Sequence, residues 1–184
     1  METIKVGDVM VPLDQYATIS EDATLYDAVV AMEEGQQRPN DRPFPYRAIL
    51  VCDAHGKVLG KLGQLDVLRS LEPKYSQVSD LRKVSGFGIT SEYLRSIMHQ
   101  FDLWKTPLDD LCHKALQLKV GDVVRSPFEG EIIDEQAGLD KAIHQLIVGH
   151  FQSLLVTSKG IITGIVRLVD VYDEVMKRMK ACKV

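Results

Sequence analysis

The sequence predicts an α/β protein made of two copies of one strand–helix–strand–strand–helix unit, with a helical connector between the copies. Three observations carry this. Val6-Gly7-Asp8-Val9-Met10, followed by Pro12, returns 114 residues later as Val120-Gly121-Asp122-Val123-Val124, followed by Pro127. Leu25, Ala28, Val29 and Met32 return at the same offset as Leu139, Ala142, Ile143 and Leu146; their i, i+3, i+4, i+7 spacing marks one apolar helix face. Ala48–Val51 answers Ser153–Val156 at an offset of 105, and Gly60–Val67 answers Gly164–Val171 at 104. The offset shrinks by ten residues, so the first copy carries an insertion, nearly all of it between Met32 and Val51.

The first unit spans residues 1–73. Residues 1–12 lead in and stop at Pro12, and Tyr16–Ile19 is a brief extended piece. A helix is expected from Ala23 to Glu34, with Ser20, Glu21 and Asp22 ahead of it to cap its free N–H groups and Gly35 to end it. Residues 36–47 hold three prolines and three arginines without a period, and read as a loop beside any ligand site or in solvent. Ala48–Asp53 and Val58–Leu62 form a hairpin around Ala54-His55-Gly56-Lys57, and a short helix runs from Gly63 to Leu71 before Pro73.

Residues 74–118 belong to neither copy. Tyr93, Leu94, Ile97, Met98 and Phe101 have helical spacing within Ser91–Phe101, and Trp104 follows. Thr106-Pro107-Leu108-Asp109 has the cap, proline and acid of a helix start, with Leu108, Leu111, Cys112, Ala115 and Leu116 as its stripe. Such stripes are expected to pack on the two units. The second unit, 119–184, repeats the order: strand Glu131–Ile133, helix Gly138–Val148, hairpin Ser153–Thr157 and Ile161–Val166 turning at Lys159-Gly160, and a last helix from Asp170 to Lys180.

Composition bounds the function. A net charge of −4 over 184 residues argues against a phosphate-tracking nucleic-acid surface, and no apolar run reaches the length of a membrane span. Cys52, Cys112 and Cys182 are distant and odd in number, which suits reduced thiols in the cytoplasm, with Cys52 in the core. The five histidines lack metal-ligand spacing, and there is no Gly-x-Ser-x-Gly elbow, so catalysis is not expected.

Each unit resembles a CBS domain, the module named after cystathionine β-synthase, and the pair resembles a tandem CBS or Bateman module. The resemblance rests on Val-Gly-Asp-Val with its following proline, on Asp22-Ala23-Thr24-Leu25-x-x-Ala28, on the strand pair, and on Gly60/Asp66 and Gly164/Asp170, each pair with five residues between. It covers both copies but not the connector or the insertion. It implies two β-α-β-β-α units about a pseudo-twofold axis with two clefts between them. It also implies frequent homodimers and a stand-alone regulatory module binding AMP, ADP, ATP or S-adenosylmethionine as a regulatory ligand rather than a required cofactor. The output would pass to an unidentified partner protein. The alternative is a ligand-free protein–protein interaction or dimerisation module.

In the family an aspartate opening the last helix of each unit receives the ribose hydroxyls, and Asp66 and Asp170 hold those positions; a carboxylate suits a cis-diol acceptor. Each also suits a first-turn acid stabilising its helix by about 0.3–1 kcal/mol. Three residues earlier the family has Ser or Thr for phosphate, where this chain has Gly63 and Arg167. The base-holding positions correspond to Thr18, Ile19, Arg47 and Ala48 in the first copy and to Ile132, Ile133, Gln152 and Ser153 in the second. The implied pairing puts Asp170 with Thr18, Ile19, Arg47 and Ala48. That cleft, with Arg47 and Arg167, is the expected stronger phosphate site.

Overall fold

In the computed structural model the described residues are 4–37, 46–72, 74, 91–101 and 110–182. After a 3₁₀ turn at Val6–Asp8 the chain forms β1 (Val11–Pro12), β2 (Thr18–Ser20), α1 (Leu25–Gln37), β3 (Ala48–Cys52), β4 (Val58–Gly63) and α2 (Gln64–Leu71). The connector holds α3 (Ser91–Phe101) and α4 (Leu111–Gln117). The second unit follows as α5 (Val120–Val123), β5 (Ile132–Asp134), α6 (Leu139–Gly149), β6 (Ser153–Ser158), β7 (Ile161–Arg167) and α7 (Leu168–Ala181).

The repeat is preserved in the sheet registers. Thr18 lies opposite Leu50 in the parallel pair β2–β3, and Ile132 opposite Leu155 in β5–β6. Each antiparallel hairpin slips at the same place, between Val51 and Cys52 and between Val156 and Thr157. Ile49, Leu50 and Val51, like Leu154, Leu155 and Val156, are wholly buried. A strand covered on both faces needs such an unbroken apolar run.

The two units are tied together by their lead-in segments, each docked on the other unit. Val6 and Gly7 donate to the carbonyls of Ala137 and Glu135, while Val120 and Gly121 donate to those of Ala23 and Glu21. Leu139 donates to Ile4, and Leu25 to Leu118. Every bond in one set is the other shifted by 114 residues. Val6 is buried in the second unit's core beside Ile133 and Leu146, and Val120 in the first unit's core beside Leu25 and Ala28. β1 continues the exchange by pairing with β7, Val11 opposite Ile165 and Pro12 opposite Gly164; proline sits where an edge strand tolerates it.

Several boundaries differ from the sequence reading. α1 is capped by Thr24 and Asp27, whose side chains and N–H groups bond reciprocally at 2.7–3.1 Å, rather than by Ser20 to Asp22. α1 also runs past Gly35 to Gln37, so Gln36 and Gln37 are helical and not loop. A side chain at Gly35 would meet Ala17 and the Tyr46 ring at 3.2 Å, so Gly35 is there for close packing and not as a stop. Residues 38–45 of the expected loop, and the expected helix start at Thr106–Asp109 with Trp104, lie outside the described residues. In α4, Ala115 is buried and Leu111 partly buried against the first core, whereas Cys112 and Leu116 are exposed. Cys52 is only partly buried.

Gly60 and Gly164 mark where the crossing chains touch. A Cβ on Gly164 would stand 2.4 Å from the Val11 carbonyl oxygen, and one on Gly60 2.6 Å from that of Arg125. Both obstacles are backbone, so neither can rotate away. Gly164→Ala is expected to cost about 1–3 kcal/mol in urea unfolding, as overpacking does. Gly63→Ala, whose Cβ would meet nothing closer than 3.4 Å, should stay within about 0.5 kcal/mol.

Candidate functional site

A cavity of about 600 Å³ opens between the units, a volume within the usual range for small-molecule sites. β4 contributes Lys61, the start of α2 contributes Asp66 and Arg69, the stretch after α5 contributes Arg125, Phe128 and Glu131, and the turn before β6 contributes Phe151. Its wall carries five cationic side chains, Arg47, Lys61, Arg69, Arg125 and Arg167, against two carboxylates, Asp66 and Glu131.

The aromatic part of the wall is built by one helix end. α6 closes on His150 in the left-handed conformation (φ 51°), and the next N–H, of Phe151, returns to the Leu146 carbonyl at 3.0 Å. This folds the Phe151 ring back over Gly149, where a Cβ would fall 1.9 Å from it. The ring meets Phe128 with centroids 5.6 Å apart at 58°. Phe128 remains about half exposed, with Arg125 over its face at 5.5 Å.

The polar part is a charge network around Glu131, which is buried. Arg125 donates to both its oxygens at 2.7 Å, a forked pair of the strong kind, and Lys61 stands 3.7 Å away. Burial works against ionisation of Glu131, but Arg125 and Lys61 outweigh it and hold the carboxyl below its ordinary range. Burial lowers the Lys61 pKa, with Glu131 opposing; the ammonium also donates to the Ser153 carbonyl. Asp66 accepts the Gly63 N–H at 3.0 Å through one oxygen and faces Arg69 at 3.3 Å through the other. Its side chain is about one quarter exposed.

The Asp170 side is different. Arg167 donates through Nε and Nη2 to the two Asp170 oxygens, both at 2.6 Å. The side chains are 5% and 9% exposed. The guanidinium lies 5.1 Å from the Tyr46 ring centroid, and Tyr46 packs on Tyr16 at 4.5 Å. Tyr16 donates to the Ala48 carbonyl at 3.0 Å and Tyr46 to that of Gln15 at 3.3 Å. Burial pushes the Tyr16 hydroxyl well above its ordinary pKa, with Arg167 opposing.

These contacts revise the expected arrangement. Arg167 does not reach out toward a phosphate but is bound to Asp170, and the other arginine of the stronger-site argument, Arg47, lines the Asp66 cavity instead. Of the residues singled out in the sequence, Asp66, Arg47, Ala48, Gln152, Ser153 and Arg167 line the cavity. Asp170, Thr18, Ile19 and Ile133 do not. Ile133 is buried in the second core, Ile19 packs on the first, and Thr18 is exposed on β2. Lys61, Arg125, Phe128, Glu131 and Phe151 were not foreseen. The signal for Phe151 lay in the Gly149-His150 pair that turns the chain back.

Among the described residues no helix is long and apolar enough to cross a membrane, and no cluster of three His, Cys, Asp or Glu side chains could hold a metal ion. The CBS domain family matches residues 6–73. No curated protein matches the chain. Among solved structures the chain is similar to the CBS-pair protein CBSX2 from Arabidopsis thaliana, at 17% identity and TM-score 0.62, over 97% of this chain and 99% of that one. A structure of CBSX2 in complex with AMP gives 18% identity and TM-score 0.60, with 94% and 97% covered. The CBS-domain containing protein ATU1752 from Agrobacterium tumefaciens gives 18% and 0.55, with 92% and 91% covered.

The Glu131 network yields a pH test. Its carboxyl is held below the ordinary value of 4.5 in the folded protein, so it contributes stability above that value and loses it as pH falls through the lowered one. Glu131→Gln should cost about 1.5–3 kcal/mol at neutral pH, from lost charged hydrogen bonds. Urea unfolding at decreasing pH should show the gap between variant and parent narrowing below the ordinary carboxyl range.

Proposed function

The chain folds as a tandem CBS-domain pair, its first repeat a CBS domain by family match, and from that premise we propose that it is a regulatory module binding an adenine nucleotide in the Asp66 cavity. The observation that carries this is the meeting, in one cavity, of an aromatic ledge, an accessible carboxylate and an excess of cations. The Phe128 and Phe151 rings offer an apolar ledge to a purine, since stacking on aromatic side chains is worth about 1–3 kcal/mol per base. Asp66 keeps lone pairs for a ribose diol beside those used by Gly63 and Arg69. Lys61, Arg69 and Arg125 supply positive charge for phosphate. AMP bound to CBSX2, a protein of the same fold, supports the reading.

The cation excess favours phosphorylated adenine ligands over S-adenosylmethionine, whose sulfonium is itself positive. Binding transmits by changing how the two units press on each other, because the cavity draws its wall from both. A second copy of the chain is the natural recipient of that change. Tyr26 and Val29 on α1 and Leu65 and Leu68 on α2 are exposed, as are Ile147 and Val148 on α6 and Tyr172 on α7. These large apolar side chains suit a homodimer, whose regulated partner is a further protein. The same faces favour the second reading, an interaction module without ligand.

Calorimetry with ATP, AMP, adenosine and S-adenosylmethionine tests the proposal. Asp66→Ala should weaken all adenine ligands. Lys61→Ala should weaken ATP about ten- to a hundredfold and leave adenosine nearly unchanged, because a charged hydrogen bond is worth about 1.5–3 kcal/mol. No heat with any of the four ligands returns the reading to the interaction module. Sedimentation at micromolar concentration should show a dimer, and monomer alone would remove the recipient argued above.

A further inference from the structure

Asp66 and Asp170 occupy equivalent places in the repeat, yet the side chains before them differ at the position that decides access. Gly63 and Arg167 each precede the last helix of their unit, and each faces the first residue of the preceding hairpin strand, Ala48 and Ser153. Asp66 and Asp170 follow three residues on in both. At this shared position the first unit has no side chain, and its aspartate opens onto the cavity. The second unit has a guanidinium that takes both oxygens of its aspartate. A second replacement works in the same direction. The counterpart of Tyr16 at the 114-residue offset is Gly130; the Tyr16 ring, which also borders the Asp66 cavity, packs on Tyr46 under Arg167, and the other repeat has no side chain there. Tyr16, Tyr46 and Arg167 are all under 5% exposed.

We infer that Arg167 is an intramolecular occupant of the second cleft, which limits the module to one nucleotide per chain. The guanidinium supplies what a ligand sugar supplies to such an aspartate: two donors aimed at one carboxylate. It also stacks on Tyr46, the counterpart of Phe151 in the open cleft at the 105-residue offset. Charge, hydrogen bonds and ring face are thus all satisfied within the chain. A ligand would have to displace a forked, buried ion pair before it gained any contact. The single-site stoichiometry rests on the nucleotide reading above; the closure of the cleft does not.

Reciprocal exchange at the shared position tests this. The parent should take one AMP per chain by calorimetry, Arg167→Gly two, and Gly63→Arg should lose at least tenfold in affinity. Gly63 has an ordinary φ of −97° and no atom within 3.4 Å of a built Cβ, so an arginine there folds without strain and reaches Asp66 as Arg167 reaches Asp170. A ligand-free readout stands beside these. Tetranitromethane nitration, mapped by peptide mass spectrometry, is calibrated on each variant unfolded in urea, where every tyrosine is accessible. Tyr16 and Tyr46 should be spared in the parent and modified in Arg167→Gly. If that variant fails to fold, Arg167→Gly/Asp170→Asn removes the uncompensated charge and gives the same readout. Two AMP in the parent, or Tyr16 and Tyr46 still spared without Arg167, overturns the inference. No AMP heat in any protein, with the two tyrosines newly modified, leaves the self-occupied cleft standing and removes the nucleotide reading alone.

Discussion

The fold depends on the exchange of lead-in segments. Each unit on its own would have an uncovered core position and unpaired carbonyls at the start of its first helix. The other copy fills them with one valine and a short ladder of N–H donors: Val6 on Ala137 with Gly7 on Glu135, and Val120 on Ala23 with Gly121 on Glu21. A buried carbonyl left without a donor costs on the order of 1–3 kcal/mol, so several such bonds per side weigh heavily against net stabilities of about 5–15 kcal/mol. The close backbone crossings at Gly60 and Gly164 follow from this exchange, because the segments continue straight from their docking bonds over the neighbouring strand. The cavity follows too, since Arg125, Phe128 and Glu131 are brought opposite Lys61 and Asp66 by the same crossing.

The repeat was legible in the sequence because duplication writes the same spacing twice. The offsets of 114, 105 and 104 reappear as matching strand registers, matching slips and matching docking bonds. Helix ends were less legible. Gly35 has the identity of a stop but the position of a contact, and only the nearness of Ala17 and Tyr46 tells them apart. At the cleft, the aspartates could be placed from spacing, but not their partners. Arginine is long enough to reach either a ligand or the carboxylate one turn away, and the sequence alone contains no term that chooses. Three residues of separation and burial choose the carboxylate. Lys61 was invisible for a similar reason: it alternates on a strand whose register decides which neighbour it meets.

Lys61 and Arg167 also show two ways of keeping a cation under protein. Arg167 gives up its mobility to a single carboxylate and an aromatic face. Lys61 stays partly buried against a carbonyl and a carboxylate that already has a better donor in Arg125. Guanidinium forks are rigid and always charged, whereas an ammonium is a mobile point charge whose pKa responds to desolvation. The first suits a fixed wall and the second a surface that must adapt.

The reciprocal lead-ins also say something about descent. A gene holding one repeat could satisfy every crossing bond only by pairing with an identical chain, each protomer lending its first residues to the other. Such a dimer has two clefts that are the same by symmetry, and any change in one is imposed on both. Joining the copies in one reading frame frees them from that identity. The glycine before Asp66 and the arginine before Asp170 are such a difference, one that two identical chains related by symmetry could not carry.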